Sequence, residues 1–398
     1  MSKIARIRTV LLSAPYSEPP TSAEVQLHLP AGWRTIGMVE ITLENGITGL
    51  GEGYLAVFAP QVFRSIVDLV TPMLVGRDPL GFDQILRDLT LTTGYWSWQG
   101  AARHVVSACE IALQDVRAQL LGVSVARMLG AGERRTLQLY ASGGDSLTPA
   151  AMTREIAAVK SLGIDLFKIR ARNHEAAKTA WCQRHASAHG IGIAVDMTQN
   201  LAVPSQSIAD IRRFLEAVSS AEGGAPFFLE EALGPDEIGR YRELRAAVPQ
   251  CRIAGGEIVT TAAELRHRLG EGCYDIVQPD ATVIGGIAET LEVFSAARRH
   301  KAEVFVHCWG GPVGMMANYH AALAGGGRTA EWPMPRFELR DALVSKPWIV
   351  RAGTLELPES PGLGVRLTPE IEAKYPFRED AVYRCLTDPS RLLQADWS

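Results

Sequence analysis

Between residues 131 and 345, short apolar runs alternate with longer segments whose apolar residues recur every three to four positions. A short run rich in β-branched and aromatic residues predicts a buried strand, and the longer spacing predicts a helix. This strand–helix unit recurs about eight times, from RTLQLYASGG to GGRTAEWPM. Parallel strands need crossover helices, and eight units suffice to close a barrel. The pattern therefore predicts an α/β fold built on a closed parallel barrel.

Residues 1–130 follow a different pattern. β-branched runs come first, and Asn45-Gly46 lies between two of them as a hairpin signal that predicts positive φ at both turn positions. Three segments with helical spacing follow, so this part is predicted to be an α+β domain. Residues 346–398 have neither period, and we expect them to pack back on the first domain.

Composition narrows the class of protein. The 398 residues are 47% hydrophobic and 21% charged, with a net charge of −4 and no basic stripe, which argues against a nucleic-acid partner. No apolar run has the 18 or so residues that a membrane span needs, and the N-terminus predicts a strand rather than a signal peptide. The six cysteines are scattered without a C-x-x-C pair, so we expect reduced thiols in a cytoplasmic protein and neither a zinc site nor disulfides.

Charged residues stand where successive predicted strands end, at intervals of about 28, 34, 27, 23 and 27 residues from the first lysine to the histidine. In a parallel barrel these ends converge on one face, where active sites of that fold lie. In chain order the residues are Lys168 with Arg170, Asp196, Glu230, Glu257, Asp280, His307 and Glu331.

Asp196, Glu230 and Glu257 end three successive strands. Three converging carboxylates repel one another unless a cation holds them, and oxygen ligands without cysteine or histidine favour Mg²⁺. Each residue taken alone has a simpler interpretation, as a helix N-cap or a solvated loop carboxylate. Their common position in consecutive units favours the metal site.

The remaining strand-end residues predict acid–base chemistry on an anionic substrate. Lys168 and Arg170 lie two apart on one strand, so both side chains point into the barrel mouth. Asp280 and His307 end the next two strands, where the aspartate can fix the tautomer of a histidine that acts as acid or base. Glu331 ends the last strand and is predicted to hydrogen-bond within the site, while Cys308 is interpreted as a bystander.

The chain resembles the enolase superfamily, in its mandelate racemase/muconate lactonizing enzyme-like group. The motifs that carry the resemblance are VDMTQN with Asp196, LEEA with Glu230, GGE with Glu257, the Lys168–Arg170 pair, QPD with Asp280, His307 and Glu331. The resemblance implies a modified (β/α)8 TIM barrel in residues 131–345, an α+β capping domain in 1–130, and completion of that cap by 346–398.

The resemblance also implies a bound Mg²⁺, a carboxylate substrate of the acid-sugar class and assembly as a homo-oligomer. Asp196, Glu230 and Glu257 match the metal ligands, and cap loops near residues 17–33 and 51–58 match those that close over substrate. The residues then implied to bind substrate are His28, Trp33, Tyr54, Thr198 and Trp309.

Three positions depart from the family pattern: Arg170 stands where lysine is usual, Thr198 where asparagine is common, and Ala232 where proline often follows. Arginine is a poor base at neutral pH, which leaves the His307 face as the catalytic side. A one-sided catalyst fits β-elimination of water, so we expect an acid-sugar dehydratase. Open alternatives are a racemase, epimerase or cycloisomerase, a carboxylate-binding protein without turnover, and a barrel metal hydrolase or aldolase.

Overall fold

The computed structural model describes residues 2–17, 22–199, 205–220, 224–385 and 396–397. Part of the first predicted cap loop (18–21) and parts of the predicted C-terminal segment (386–395 and 398) lie outside the described residues. Within the described ranges, no helix combines the length and the apolar character that crossing a membrane requires.

An antiparallel sheet and a set of helices form the N-terminal cap. The sheet consists of β1 (Ile4–Pro15), β2 (Trp33–Leu43) and β3 (Thr48–Glu52), in that order. The helices are α1 (Ala23–His28), α2 (Pro60–Leu74), α3 (Phe82–Ser97), α4 (Ala101–Leu120) and α5 (Val125–Met128), with 3-10 turns at Tyr54–Val57 and Pro79–Gly81. Strands followed by helices agree with the predicted α+β organisation.

The β2–β3 hairpin differs from the predicted turn. Gly46 has φ +85°, but Asn45 does not have a positive φ. The Gly46 N–H donates to the Leu43 carbonyl at 2.9 Å, and the Ile47 N–H donates to the Asn45 side chain at 3.2 Å. The connection is therefore one residue longer than the predicted turn, and only its glycine needs the left-handed conformation.

Glycine lets β3 lie directly on α4. A Cβ atom on Gly51 would come within 1.9 Å of the Ala108 carbonyl oxygen and 2.6 Å of the Ala112 nitrogen. Both neighbours are helix backbone, which cannot move aside cheaply. Glu52, which ends β3, is thereby held at a fixed height above the barrel.

The barrel has eight parallel strands, as the alternating pattern predicted. Neighbouring strands pair in chain order, and pairing of the last strand with the first closes the sheet. The strands are β4 (Thr136–Gly143), β5 (Leu166–Arg170), β6 (Gly192–Asp196), β7 (Phe228–Glu230), β8 (Arg252–Gly255), β9 (Ile276–Val277), β10 (Glu303–Val306) and β11 (Thr329–Pro333).

Helices surround the barrel, and large side chains fill it. The helices are α6 (Pro149–Ser161), α7 (Ala176–Ser187), α8 (Ile208–Ser219), α9 (Ile238–Ala247), α10 (Ala262–Gly270), α11 (Ala281–Ile284), α12 (Ile287–His300), α13 (Pro312–Gly325) and α14 (Leu339–Ala342). Tyr140, Phe228 and Phe305 form a buried cluster from β4, β7 and β10, with ring centroids 5.6 to 6.3 Å apart. The interior is therefore packed, and the site lies above it at the strand ends.

The described part of the C-terminal segment contacts both units. The hairpin of β12 (Ile349–Arg351) and β13 (Thr354–Glu356) joins the barrel sheet, because β13 pairs antiparallel with β4. Beyond α15 (Pro369–Lys374) the chain reaches the cap: the Ser13 N–H donates to the Tyr375 carbonyl at 3.2 Å, and the Tyr383 N–H donates to the Val57 carbonyl at 3.2 Å. The hairpin at 349–356 thus belongs to the barrel sheet rather than to the cap.

Candidate active site

Three carboxylates proposed from the sequence as metal ligands stand at adjacent strand ends. Asp196 and Glu230 are the last residues of β6 and β7 and are partners in register, and Glu257 follows β8 by two residues. Asp196 and Glu230 are buried, and Glu257 is 17% exposed. Strand pairing alone therefore places these side chains on one wall of the barrel mouth.

Burial and mutual repulsion disfavour the ionised forms of two of these groups. Burial raises the pKa of Asp196, and Glu257 adds to the rise while Lys168 opposes it. Burial likewise raises the pKa of Glu230 well above its ordinary value, with Lys168 opposing and Asp196 adding to the rise. A cation placed among the three groups would relieve this cost.

Lys168 and Arg170, both on β5, face different partners. The Lys168 Nζ lies 2.5 Å from Glu230 Oε1 and 2.8 Å from Glu331 Oε1. Burial alone would lower the pKa of Lys168, but these two carboxylates raise it well above its ordinary value. The Arg170 Nε lies 3.6 Å from Asp196 Oδ2, and its guanidinium lies 4.7 Å from the centroid of the Trp309 ring. Lys168 is buried and Arg170 only partly buried, so Lys168 is the deeper of the two cations.

Asp280 and His307 form the predicted pair. The His307 Nδ1 lies 2.8 Å from Asp280 Oδ2, and the His307 Nε2 lies 3.2 Å from Glu257 Oε2. Burial alone would lower the pKa of His307, but Glu257, Glu331 and Asp280 outweigh it and raise that pKa to about 10. Asp280 orients one face of the ring and leaves Nε2 directed at the carboxylate wall.

Glu331, on β11, links the lysine to the loop after β10. It binds Lys168, and its Oε2 accepts from the backbone N–H of Cys308 at 2.7 Å. Burial alone would raise the pKa of Glu331, but Lys168 and His307 lower it. The Cys308 thiol is buried beside this carboxylate, and burial raises its pKa well above the ordinary value, so it is not poised as a nucleophile.

The cap residues implied to bind substrate occupy different positions. The Tyr54 ring centroid lies 6.3 Å from that of His307, and Phe58 and Tyr383 continue this aromatic row to His28, which stacks on Tyr383 at 4.2 Å. Trp33 lies under Arg378 of the C-terminal segment, whose guanidinium is 4.2 Å from its ring. Tyr54 is therefore the innermost of the three.

Thr198 and Trp309 lie directly beside the predicted ligands and cations. The Thr198 N–H donates to Asp196 Oδ1 at 2.7 Å, and Thr198 has φ +48°, which is rare for a β-branched residue. The indole of Trp309 covers Arg170, and its Nε1 donates to Glu24 at 3.3 Å. Strained backbone, such as that of Thr198, concentrates at functional sites.

Three site residues that the cap contributes were missed by sequence reasoning. Glu24 on α1 binds Arg170, Arg34 on β2 donates to the Trp309 carbonyl, and Glu52 accepts from the N–H groups of Gly311 and Gly314. Glu52 stands between two glycines where a strand ends, which was an available signal. Glu24 and Arg34 carry no such mark in the sequence.

The carboxylates fit a hard divalent cation by their chemistry, although their side chains do not form a coordination sphere. Across the described ranges, no three His, Cys, Asp or Glu side chains are arranged to hold a metal ion. Glu230 turns to Lys168 and Gln278, and Glu257 turns to His307. The all-oxygen donor set and the repulsion within it favour Mg²⁺ over softer metals.

The geometry is that of an active site in a barrel enzyme, with charged groups at the strand ends beneath the cap. Two family descriptions match the chain: "Enolase C-terminal domain-like" over residues 151–371 and "Mandelate racemase / muconate lactonizing enzyme, N-terminal domain" over residues 28–130. The chain belongs to the enolase superfamily, in its mandelate racemase/muconate lactonizing enzyme group.

Relatives of this chain include both lyases and isomerases. It is 25% identical to a D-galactarolactone cycloisomerase of Agrobacterium fabrum, over 92% of this chain and 96% of that protein. It is 26% identical to a D-xylonate dehydratase of Haloferax volcanii, over 83% of this chain and 82% of that protein. The fold is also that of a mutant L-talarate/galactarate dehydratase liganded with Mg and L-glucarate, with a TM-score of 0.80, 23% identity, and coverage of 94% of this chain and 92% of that chain.

Proposed function

We propose that this protein removes the α-proton of a hydroxylated carboxylate in a Mg²⁺-dependent reaction and then eliminates the β-hydroxyl as water, as an acid-sugar dehydratase. The observation that carries the proposal is the Asp280–His307 pair, whose second ring nitrogen, Nε2, lies 3.2 Å from Glu257 on the wall formed by Asp196, Glu230 and Glu257. An acid–base group facing a carboxylate-lined metal site is the arrangement that enediolate chemistry needs.

His307 is the group that moves the proton. Asp280 holds the ring through Nδ1, so Nε2 is the atom that takes the α-proton from the substrate when the ring is neutral. Glu257 is the main carboxylate that raises the pKa of His307, and a cation held by Glu257 would oppose that rise and favour the neutral ring. The same nitrogen can then return a proton to the departing hydroxyl, which balances the elimination as loss of water. Both steps occur on one face of the substrate.

Lys168 and Glu331 act on the developing charge. The ammonium of Lys168, held between Glu230 and Glu331, is directed at the same wall and stabilises negative charge on the substrate carboxylate. Arg170 remains a cation under all ordinary conditions, so it binds and does not abstract a proton. No second base is therefore proposed on the opposite face.

Asp196, Glu230 and Glu257 would hold the Mg²⁺, as in the sequence-based prediction. When bound, the ion would act as a Lewis acid towards the substrate carboxylate and so ease loss of the α-proton. A neighbouring structure that carries Mg with a sugar acid in the same fold supports this choice of cofactor.

We favour dehydration over isomerisation because a single acid–base face suits elimination, and because the relatives include a D-xylonate dehydratase. The second candidate is an isomerase that uses the same enediolate, either a cycloisomerase, a racemase or an epimerase. The D-galactarolactone cycloisomerase among the relatives favours the first of these. In either reaction the substrate is an acid sugar or a closely related carboxylate.

The test is incubation of the Mg²⁺-loaded protein with a panel of acid sugars and their lactones in D₂O. Formation of a keto-deoxy acid is expected and establishes the dehydratase. Deuterium at the α-carbon without a keto acid, or ring opening of a lactone, assigns the isomerase instead. Neither signal on any compound, with Mg²⁺ shown to bind, would overturn the proposal in favour of carboxylate binding without turnover.

A further inference from the structure

The cap places a carboxylate on the outer cation of the barrel mouth. Glu24, on the short helix α1, has its Oε2 at 2.6 Å from Arg170 Nη1, and its Oε1 accepts from Trp309 Nε1 at 3.3 Å. The Glu24 backbone N–H donates to Asp145 Oδ2 at 2.6 Å. These three contacts with barrel residues fix the position of Glu24, whose side chain is only 14% exposed.

Arg170 is therefore already shared between carboxylates. Its Nη1 binds Glu24, its Nε lies 3.6 Å from Asp196, and one face of the guanidinium is covered by the indole of Trp309. A substrate carboxylate arriving at this guanidinium would meet Glu24 at the same place. Like charges at such a distance repel strongly where water is largely excluded.

The other cations that converge below the cap are also engaged. Lys168 is held by Glu230 and Glu331, and Arg34 donates to the Trp309 carbonyl. Lys168 is 4% exposed and Arg170 is 22% exposed, so Lys168 lies deep with the predicted metal ligands and Arg170 lies towards the cap. A substrate whose reacting carboxylate is held deep would point its far end at Glu24.

We propose that Glu24 is a specificity-determining residue that restricts the site to monocarboxylate sugars with a neutral, hydroxylated far end and disfavours diacids. The inference rests on the proposed function for the identity of the deep end of the site. A sugar hydroxyl can donate to the Glu24 carboxylate, whereas a second carboxylate there would be repelled and would find Arg170 already neutralised.

The experiment compares matched pairs of aldonates and aldarates that differ only in oxidation of the terminal carbon. Wild-type, Glu24→Gln and Glu24→Asp proteins are assayed for kcat/KM and, by calorimetry, for binding to the Mg²⁺-loaded and metal-free protein. The wild type is expected to favour the aldonate by about 10- to 100-fold, the size expected for one repulsive contact in a half-buried site. Glu24→Gln removes the charge and should lower this ratio at least about tenfold, while Glu24→Asp keeps the preference.

Glu372→Gln is the matched control, because it also removes the charge of a carboxylate that is ion-paired with an arginine, here Arg8 on β1, and it should leave the ratio unchanged. A wild type that accepts both acids equally, or a ratio that Glu24→Gln leaves unchanged, would overturn the inference while the proposed function stands. If no compound is turned over, the proposed function fails, and the binding preference for aldonate over aldarate still decides the role of Glu24.

Discussion

Asp280 shows at the scale of one residue how the site sets the state of its histidine. Its Oδ1 accepts from the Thr282 N–H, the Thr282 hydroxyl and Asn318 Nδ2, each at 2.8 Å, which leaves Oδ2 to His307. Burial alone would raise the pKa of Asp280, but hydrogen bonds from His307 and these neighbours lower it. The Asp280 carboxylate therefore orients the ring through the proton on Nδ1.

The first prediction concerns this pair. In Asp280→Asn one amide N–H must face a donor, either Asn318 or the histidine, so the ring is held in the wrong tautomer or orientation. The rate of α-proton removal from the substrate should fall about 10²- to 10⁴-fold. Measured Mg²⁺ affinity serves as the control and should change little. A variant with the wild-type rate would show that Asp280 does not position His307.

At this scale the sequence was informative wherever a residue ended a barrel strand. Strand pairing brings Arg170, Asp196 and Glu230 together, because the ends of parallel strands in register are neighbours. The cap residues Glu24 and Arg34 could not be placed, since their position depends on how one unit docks on the other. Nothing in a single sequence encodes that docking locally.

At the scale of secondary-structure elements, Glu52 connects the end of β3 to the start of α13. Its carboxylate accepts from the N–H groups of Gly311 and Gly314, and a Cβ on Gly311 would lie 2.8 Å from its Oε2. Burial raises the pKa of Glu52 from 4.5 to about 7, although both backbone N–H groups oppose the rise. The carboxyl thus binds a proton more tightly in the folded protein than in the unfolded chain.

The second prediction follows from that shift. Below pH 4.5 the carboxyl is protonated in both states and its contribution to stability is fully present; as the pH rises through about 7 the contribution is lost. The loss is about 1.4 kcal/mol per pH unit at most over this range. Glu52→Gln has no such titrating group. The difference in the free energy of unfolding between wild type and variant should therefore shrink as the pH rises from 4.5 to 7. Denaturant titrations in which the two proteins respond identically to pH would contradict the prediction.

The third prediction concerns the contact of β3 with α4. Gly51→Ala would drive a methyl group into the Ala108 carbonyl and should lower the free energy of unfolding by about 2–4 kcal/mol. Gly81→Ala is the matched control, because no atom lies within 4 Å of its added Cβ and its φ is −78°. Its stability should change by less than about 1 kcal/mol. Equal effects of the two substitutions in chemical denaturation would refute the close packing.

The prediction of secondary-structure elements succeeded where a periodic pattern extended over many residues and failed where the element was short. Eight alternating units predicted the barrel because each strand and helix recurs at a similar spacing. Helix α1 has only six residues, which is too short for a helical periodicity to be recognised in the sequence. The Ser22 side chain caps its first turn by accepting from the Val25 N–H. The hairpin at Asn45 was located correctly, but its loop length depends on the register of β2 and β3.

The whole molecule is joined through polar groups of α4 buried against the barrel. Glu110 accepts from the N–H groups of Ile287 at 2.7 Å and Ala288 at 3.1 Å, and so caps the barrel helix α12. Arg103 binds the Ile284 carbonyl at 3.3 Å and Glu289 at 3.0 Å. Cap and barrel therefore share a single buried interface and are not independent units.

The fourth prediction is that Glu110→Ala destabilises both units together. Two buried N–H groups lose their acceptor, which should lower the free energy of unfolding by about 2–4 kcal/mol. The transitions followed by far-UV circular dichroism and by tryptophan fluorescence should still coincide. Glu243→Ala, at an exposed position of α9, is the control and should leave the curve almost unchanged. Two separate transitions would contradict the single interface.

The C-terminal segment shows what the sequence left undecided at this scale. It was predicted to pack back on the cap, yet residues 354–356 pair with β4, and Tyr383 enters the aromatic row above His307. A strand of three residues has too few positions to show an alternation. The approach of Tyr383 to the site is a property of the assembled fold.

The central claim is that His307 alone moves the α-proton, and exchange of that proton with solvent tests it most directly. Mg²⁺-loaded wild type and His307→Asn are incubated in D₂O with a compound on which the wild type acts, and α-deuteration and product are followed together. We expect the variant to lose exchange and product by at least about 10³-fold while it binds Mg²⁺ as the wild type does. If His307→Asn exchanges the α-proton at the wild-type rate, the base lies elsewhere and the proposed mechanism is wrong.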